Sequence, residues 1–219
     1  MANDNMKYLA VVGVVVVFIV GLGAGALIFS NNSSSSEPYH LTLVITSNNT
    51  FNSTVGSQPA FFVLQNGVLS SSAKINVPVN KKIELTIMNY DSGADTVNQT
   101  SIGQVITGTT NNTMFVVQDD VMNASQGKNG IQLNDNAQYI SSVPLNDLSH
   151  TFTVVDGSTH IINIPIEPSS TTTTIIQFSK TGTFNWQCLI PCGSDLPGAP
   201  GWGGAMNTPG WMAGSVVVS

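Results

Sequence analysis

The stretch Thr181–Gly193, TGTFNWQCLIPCG, contains both cysteines of the chain, Cys188 and Cys192. Its first half carries aromatic and β-branched residues, which predicts a strand that runs directly into the first cysteine. Pro191 and Gly193 favour a turn that brings the second cysteine back toward the first. Two thiols at this spacing are ligands of a soft metal ion, partners in a disulfide, or the remains of a site that has lost its metal, and the stretch alone leaves all three interpretations open.

Further runs of the same strand character follow residue 38. Each is rich in β-branched or aromatic residues and is bounded by Gly, Pro, Asn or Asp, whereas no stretch after residue 30 keeps a helical period. The runs are His40–Thr46, Ala73–Asp91 with a turn at Val79–Lys81, His150–Val155, His160–Ile166, Thr171–Ser179, Gly182–Cys188 and Gly214–Ser219. We therefore predict an all-β fold, a Greek-key sandwich or barrel.

Residues 92–149 fit this pattern less well because they are polar and rich in Gly and Asn. Strand-like islands occur at Ile102–Ile106 and Met114–Val117. The segment has too few apolar residues for a core of its own. We interpret it as an insertion or long excursion between two core strands.

The N-terminal part predicts a membrane anchor. Leu9–Phe29 is a run of 21 residues without charge. As a helix it would span about 32 Å, close to the thickness of a bilayer core. A cleaved signal peptide would have a shorter apolar run and a small-residue cleavage site. We predict a short tail over residues 1–8, one transmembrane helix over 9–29, a flexible polar tether over 30–38 and an external domain over 39–219.

The composition restricts the partners and the location. Six lysines, no arginine and a net charge of −6 argue against a nucleic-acid partner. Only 8% of the residues are charged, against roughly 25% in ordinary soluble domains, and such a surface would tolerate an acidic exterior. Sequons for N-glycosylation follow the anchor and favour an external location. The candidate asparagines are Asn31, Asn32, Asn48, Asn52, Asn98, Asn111 and Asn123.

Four segments stand in an order that points to a family. They are VPVNKKIELTIMNYD (Val77–Asp91), NDLSHTFTV (Asn146–Val154), TGTFNWQCLIPCG and PGWMAGSVVVS (Pro209–Ser219). This arrangement resembles the cupredoxin fold, and more closely the external domain of cytochrome c oxidase subunit II. The resemblance covers roughly residues 73–91 and 147–219. Its most specific element is Cys-x-x-x-Cys-Gly after a strand of Gly and aromatic residues.

In that family the binuclear copper centre CuA uses two cysteines, two histidines, a methionine and a backbone carbonyl. The resemblance implies these roles for His150, Cys188, Cys192, the carbonyl of Ile190 and the thioether of Met212. Soft thiolates and borderline imidazole held on strand ends are the ligands that a copper electron-transfer site requires.

One ligand of the family pattern is missing. Pro209 stands where the second histidine is expected, and only His40 and His160 remain elsewhere. A standard binuclear centre is therefore not expected, and two interpretations stay open: copper bound in another form, or no copper. If copper is absent, we expect a Cys188–Cys192 disulfide.

The resemblance implies a subunit II-like component of a respiratory haem–copper terminal oxidase. The degenerate ligand set is similar to the quinol-oxidase branch, in which the domain has a structural or docking role beside a haem-containing subunit and other membrane subunits. One alternative is a membrane-tethered copper electron-transfer protein resembling sulfocyanin or other blue-copper proteins. Another is a surface scaffold glycoprotein. No hydrolytic or phosphate-binding motif is present, so a stand-alone enzyme is not expected.

Overall fold

The computed structural model describes residues 37–93, 103–118 and 137–219. Within these residues the chain forms strands in two sheets, and the helical segments are short 3-10 turns. The predicted all-β class is therefore confirmed for the described residues. The strands are β1 (Tyr39–Asn52), β2 (Gly56–Gln65), β3 (Val68–Ser71), β4 (Lys74–Val77), β5 (Ile83–Asn89), β6 (Met114–Gln118), β7 (Gln138–Ile140), β8 (His150–Asp156), β9 (Thr159–Ile166), β10 (Ser170–Ile176), β11 (Gly182–Gln187) and β12 (Ala213–Val218).

The larger sheet has the order β3-β2-β1-β5-β10-β6-β7, and the smaller has the order β4-β12-β11-β8-β9. Each sheet contains one parallel pair, β1 with β5 and β4 with β12, and the other pairs are antiparallel. Burial alternates along β5 and β10 because successive side chains of a strand point to opposite faces of its sheet. In β5 this alternation places Ile83, Leu85 and Ile87 in the core.

The core lies between the sheets, and three aromatic rings pack against one another within it. Phe61 of β2 belongs to the larger sheet, whereas Phe152 of β8 and Trp186 of β11 belong to the smaller one. The Trp186 ring lies 5.1 Å from Phe61 and 5.5 Å from Phe152, centroid to centroid. Its Nε1–H donates to the carbonyl of Ser72 at 3.1 Å, so the polar atom of this buried residue is satisfied.

Each predicted run contains at least one strand, although the boundaries shift. The predicted turn in Ala73–Asp91 is present, and Asn80 adopts a positive φ of 57° within it. The strands that flank this turn, β4 and β5, belong to different sheets, so the turn is a crossover between the sheets.

The sequence prediction lacked the hairpin of β2 and β3. Asn66 and Gly67 connect the two strands with φ values of 52° and 75°. Positive φ at both central residues is typical of the type I′ turn, a common two-residue hairpin connection. Pro59 lies within β2, where a proline argues against a strand, and all four residues of β3 are exposed. Neither strand therefore shows the alternation of apolar and polar residues by which strands are recognised.

The described parts of the excursion 92–149 belong to the sandwich. β6 pairs with β10, and β7 extends the larger sheet at its edge. Thr107 exchanges two backbone hydrogen bonds of 3.0 Å with Asn163 of β9. The segment thus contributes to both sheets.

None of the helices in residues 37–93, 103–118 and 137–219 has the length and apolar character needed to cross a bilayer. The predicted anchor Leu9–Phe29 lies outside these residues, and so does nearly all of the tether.

Candidate metal centre

Three candidate ligands predicted from the sequence meet at one end of the smaller sheet. His150 begins β8, Cys188 directly follows β11, and these two strands are antiparallel neighbours. Cys192 is brought back by the turn after β11. The ligand atoms of His150, Cys188 and Cys192 all lie within 4.8 Å of one another. Nδ1 of His150 is 3.0 Å from Sγ of Cys192, and the two sulfur atoms are 3.5 Å apart.

Cys188 is buried, and its sulfur accepts hydrogen bonds from the surrounding backbone. The backbone N–H groups of Thr151 and Ile190 donate to its sulfur at 3.3 and 3.4 Å. Burial raises the pKa of Cys188, but hydrogen bonds from Cys192 and His150 and the charge of His150 outweigh it and hold the pKa well below its usual range. The site therefore favours a thiolate at Cys188, the form that binds metal ions.

The second ring nitrogen of His150 faces a carboxylate. Nε2 lies 3.1 Å from Oδ2 of Asp91, and the imidazole is almost completely buried. Burial lowers the pKa of His150, but hydrogen bonds and charges from Asp91 and Cys188 outweigh it and raise the pKa to about 9. Burial likewise raises the pKa of Asp91, and the hydrogen bond and charge of His150 reverse this and leave the pKa below its usual value.

Asp91 is the site residue that the sequence analysis did not single out. It appeared only as the last residue of a predicted strand run. Its signal was its place two residues after the inner strand β5, where a carboxylate is not needed for sheet packing. The pairing with His150 is not visible in the sequence because 59 positions separate the two residues.

The other two family ligands have their backbones beside the cysteines. The Ile190 carbonyl lies 3.5 Å from Sγ of Cys188 and accepts the N–H of Cys192 at 2.8 Å. Met212 is fully buried, and its carbonyl accepts the N–H of Cys188 at 2.9 Å. The loop before β12 therefore returns next to the cysteine turn, as the resemblance implies.

The remaining histidines lie far from the cluster. His160 pairs with Val155, five residues along β8 from His150, which corresponds to about 17 Å. His40 pairs with Glu84, at the opposite end of β5 from Asp91 and so about 20 Å away along the strand. Every histidine of the chain lies in the described residues, and only His150 belongs to the cluster.

The donor set suits one soft metal ion. Thiolates select Cu(I) or Zn(II), and imidazole suits copper and zinc. Sulfur atoms 3.5 Å apart would subtend about 100° at an ion that binds each of them at about 2.3 Å. A binuclear centre that requires two imidazoles does not fit these residues.

The disulfide remains a prediction for the isolated, metal-free protein. The two sulfur atoms are separated by 3.5 Å, whereas a disulfide bond is about 2.05 Å long. Bond formation would bring the sulfur atoms about 1.5 Å closer together.

The candidate glycosylation sites fall into two groups. Asn48, Asn52 and Asn111 are exposed, although the side-chain oxygen of Asn52 also accepts the N–H groups of Thr54 and Val55. Asn31, Asn32, Asn98 and Asn123 lie outside the described residues.

Comparisons with known proteins give distant structural likenesses. No protein-family model matches the chain, and no curated protein matches it significantly. A multicopper oxidase is 11% identical with a TM-score of 0.34; the match covers 83% of this chain and 44% of that protein, so this chain spans less than half of its length. A chain from a haem–copper terminal oxidase dimer is 11% identical with a TM-score of 0.34, and the match covers 100% of both chains.

A third likeness is to the periplasmic domain of subunit II of cytochrome oxidase from Bradyrhizobium japonicum. It is 12% identical with a TM-score of 0.31, over 84% of this chain and 87% of that domain. Because all three TM-scores are below 0.5, we base the functional assignment on the site and its sequence pattern.

Proposed function

We propose that this chain is a subunit II-like component of a respiratory haem–copper terminal oxidase, of the type that lacks a binuclear CuA centre. The chain is anchored by residues 9–29 and presents residues 39–219 on the external face of the membrane. There the β-sandwich covers or docks against a haem-containing subunit. The site near Cys188 holds at most one metal ion.

The observation that carries this proposal is the gathering of His150, Cys188 and Cys192 within 4.8 Å, with the Ile190 carbonyl and the Met212 backbone beside them. These are the positions that the family pattern assigns to copper ligands. Pro209 occupies the place of the second histidine and cannot bind a metal through its side chain. This arrangement supports a site that is similar to CuA but has one imidazole fewer.

When bound, a copper ion in such a site would accept and donate single electrons. The residues of the chain supply a buried thiolate at Cys188, a half-buried sulfur at Cys192 and a fixed imidazole at His150. Rigid strands on both sides limit rearrangement of these ligands. One imidazole closes the coordination of one ion only.

Co-purification from the native membrane tests the proposed complex. After gentle detergent extraction, this chain should co-elute with a haem absorption spectrum and with larger membrane subunits. A chain that elutes alone and free of haem would contradict the proposal.

Metal analysis of the purified chain tests the degenerate site. Loaded with copper and washed, the chain should hold no more than one copper, and electron paramagnetic resonance should lack the seven-line mixed-valence signal. Two coppers per chain with that signal would show that a CuA centre forms despite Pro209.

A membrane-tethered single-copper electron carrier is the second candidate. The observation that favours it is the completeness of the one-ion site, in which three donors converge and Asp91 supports the outer nitrogen of His150. A haem-free chain that holds one redox-active copper would support this candidate. A haem-free chain without copper would instead support a surface scaffold glycoprotein.

A further inference from the structure

Asp91 comes from the sheet that does not carry the metal ligands. It follows β5 of the larger sheet, whereas His150 begins β8 of the smaller sheet. Its Oδ2 atom nevertheless lies 3.1 Å from Nε2 of His150. On the other side of the ring, Nδ1 faces the sulfur of Cys192 at 3.0 Å. The imidazole is thus held between a carboxylate and the sulfur pair.

The carboxylate of Asp91 is itself fixed by its surroundings. Its Oδ1 atom accepts the backbone N–H of Gly93 at 3.0 Å, and its carbonyl accepts the N–H of Ser169 at 2.9 Å. Its own N–H donates to the side chain of Asn89 at 3.0 Å, and Asn89 in turn donates to the carbonyl of Glu167 at 2.9 Å. These bonds hold the Asp91 carboxylate in place even before a metal binds.

We propose that Asp91 is a positioning residue of the metal site, which accepts the Nε2–H of His150 and thereby keeps Nδ1 directed at the sulfur pair, where its lone pair serves a metal ion that replaces the Nδ1 proton. The inference rests on the metal site of the proposed function and not on membership of an oxidase complex. An imidazole without this partner could rotate or present the other tautomer. A carboxylate that accepts the distal N–H also makes the ligand nitrogen a stronger donor.

Two variants separate the charge of Asp91 from its hydrogen bonds. Asp91→Asn keeps an oxygen that can accept a hydrogen bond but removes the charge, and Asp91→Ala removes both. The matched control is Asp156→Asn at the other end of β8, where Asp156 forms an exposed ion pair with Lys180. All proteins are full-length and detergent-solubilised, and native tryptophan fluorescence, to which the buried Trp186 contributes, reports whether they are folded.

Copper(I) affinity is measured by competition with a chromophoric chelator. We expect Asp91→Ala to lower the affinity about 10–100-fold, the loss typical when the hydrogen-bond partner of a ligating histidine is removed. Asp91→Asn should show a smaller loss, and Asp156→Asn should match the wild type. Equal affinity of wild type, Asp91→Asn and Asp91→Ala would overturn the role of Asp91.

Nitrogen-15 spectra of the imidazole groups provide a readout that needs no variant. His40 and His160 are exposed and serve as internal references. In the copper(I)-loaded wild type, we expect His150 to bind through Nδ1 and to keep a slowly exchanging proton on Nε2. Coordination through Nε2, or a rapidly exchanging Nε2 proton, would overturn the inference even if the variants fail to fold. A wild type that binds no copper(I) would overturn the proposed metal site as well, whereas unchanged affinity in the variants would leave that site standing.

Discussion

At the scale of single residues, the site is a short series of alternating charges. Each charge stabilises its buried neighbour of opposite sign, in the order Asp91 carboxylate, His150 imidazole and Cys188 thiolate. For this reason the pKa of His150 is raised to about 9, and the pKa values of Asp91 and Cys188 are lowered. A buried ion left without its partner costs about 3–5 kcal/mol. The metal-free site is therefore a polar network and not an apolar cavity.

The cysteine pair yields a prediction at the same scale. Purified without metal in air, the protein should contain a Cys188–Cys192 disulfide, because the two sulfur atoms are already 3.5 Å apart and the lowered pKa of Cys188 supplies a thiolate. Thiol titration in denaturant should then find no thiol before reduction and two after it. Two reactive thiols before reduction would contradict the prediction. Copper(I) added before exposure to air should protect both thiols.

Sequence reasoning singled out three candidate ligands that the structure places together, but not the residue that contacts His150. The pattern around Cys188 and the Asp-x-x-His before β8 identified His150 and both cysteines. The structure brings these three together. Asp91 was not identified as a site residue, because a hydrogen bond between distant parts of the chain leaves no periodic pattern or motif in the sequence. The same reason hid the interaction of Gln58 with the loop after Cys192.

At the scale of elements, two contacts hold the strands and loops that carry the site. Gly214 of β12 pairs with Trp186 of β11, so the glycine leaves room for the indole. Gln58 of β2 donates to the carbonyl of Ser194 at 2.5 Å and accepts the N–H of Ala205 at 2.6 Å. The first contact positions the strand that leads into Cys188. The second fixes the long loop between Cys192 and β12.

The substitution Gly214→Ala should destabilise the domain. A Cβ atom there would clash with the indole nitrogen of Trp186 and lie 2.7 Å from the carbonyl oxygen of Ser72. Strand β12 would therefore have to move away from both groups. We expect a loss of about 1–3 kcal/mol in the free energy of unfolding, the usual cost of overpacking a core. Urea denaturation followed by tryptophan fluorescence measures it.

Gly103→Ala is the control for that experiment. A Cβ atom at position 103 has its nearest neighbour, a Leu148 methyl carbon, at 3.5 Å, which is ordinary contact. Its stability should stay close to that of the wild type. Equal stability of Gly214→Ala and Gly103→Ala would show that β12 can move away from Trp186 at little cost.

The substitution Gln58→Leu should loosen the loop after Cys192. It leaves the carbonyl of Ser194 and the N–H of Ala205 without their partner, at a cost of about 1–3 kcal/mol. Hydrogen exchange of the Ala205 amide should accelerate more than that of the β5 amides. The control is Gln65→Leu, an exposed position at the end of the same strand. It should change neither the free energy of unfolding nor the exchange rate of the Ala205 amide. Unchanged exchange at Ala205 would contradict the role of Gln58.

At the scale of the whole molecule, the sequence predicted the fold class better than the pairing of strands. Runs such as His150–Val155 and His160–Ile166 are recognisable because they are short, rich in β-branched residues and bounded by turn residues, although much of each strand is buried on both faces. Which strands become neighbours depends on long-range packing. For this reason the sequence did not indicate that β4 and β5 separate into two sheets, or that β6 and β7 extend the larger sheet.

The predicted anchor can be tested on the whole molecule. If Leu9–Phe29 remains as a transmembrane helix, the mature chain should begin at Met1 or Ala2 and stay with the membrane fraction after alkaline washing. N-terminal sequencing and membrane fractionation measure the two properties. A soluble chain that begins near Ser30 would mean that the apolar run is a cleaved signal.

The position of Asp91 and His150 on opposite sheets has a consequence for the order of events during folding. Contacts between residues as distant in sequence as 91 and 150 form late in folding, because the entropy of closing a long loop must be lost before the contact can stabilise the chain. The complete ligand environment therefore arises only after the two sheets have docked. We expect metal insertion to follow folding and bound metal to slow unfolding, since separation of the sheets would remove Asp91 from His150 and weaken the site that holds the ion. Copper would then stabilise the domain after it has folded and would not direct its folding.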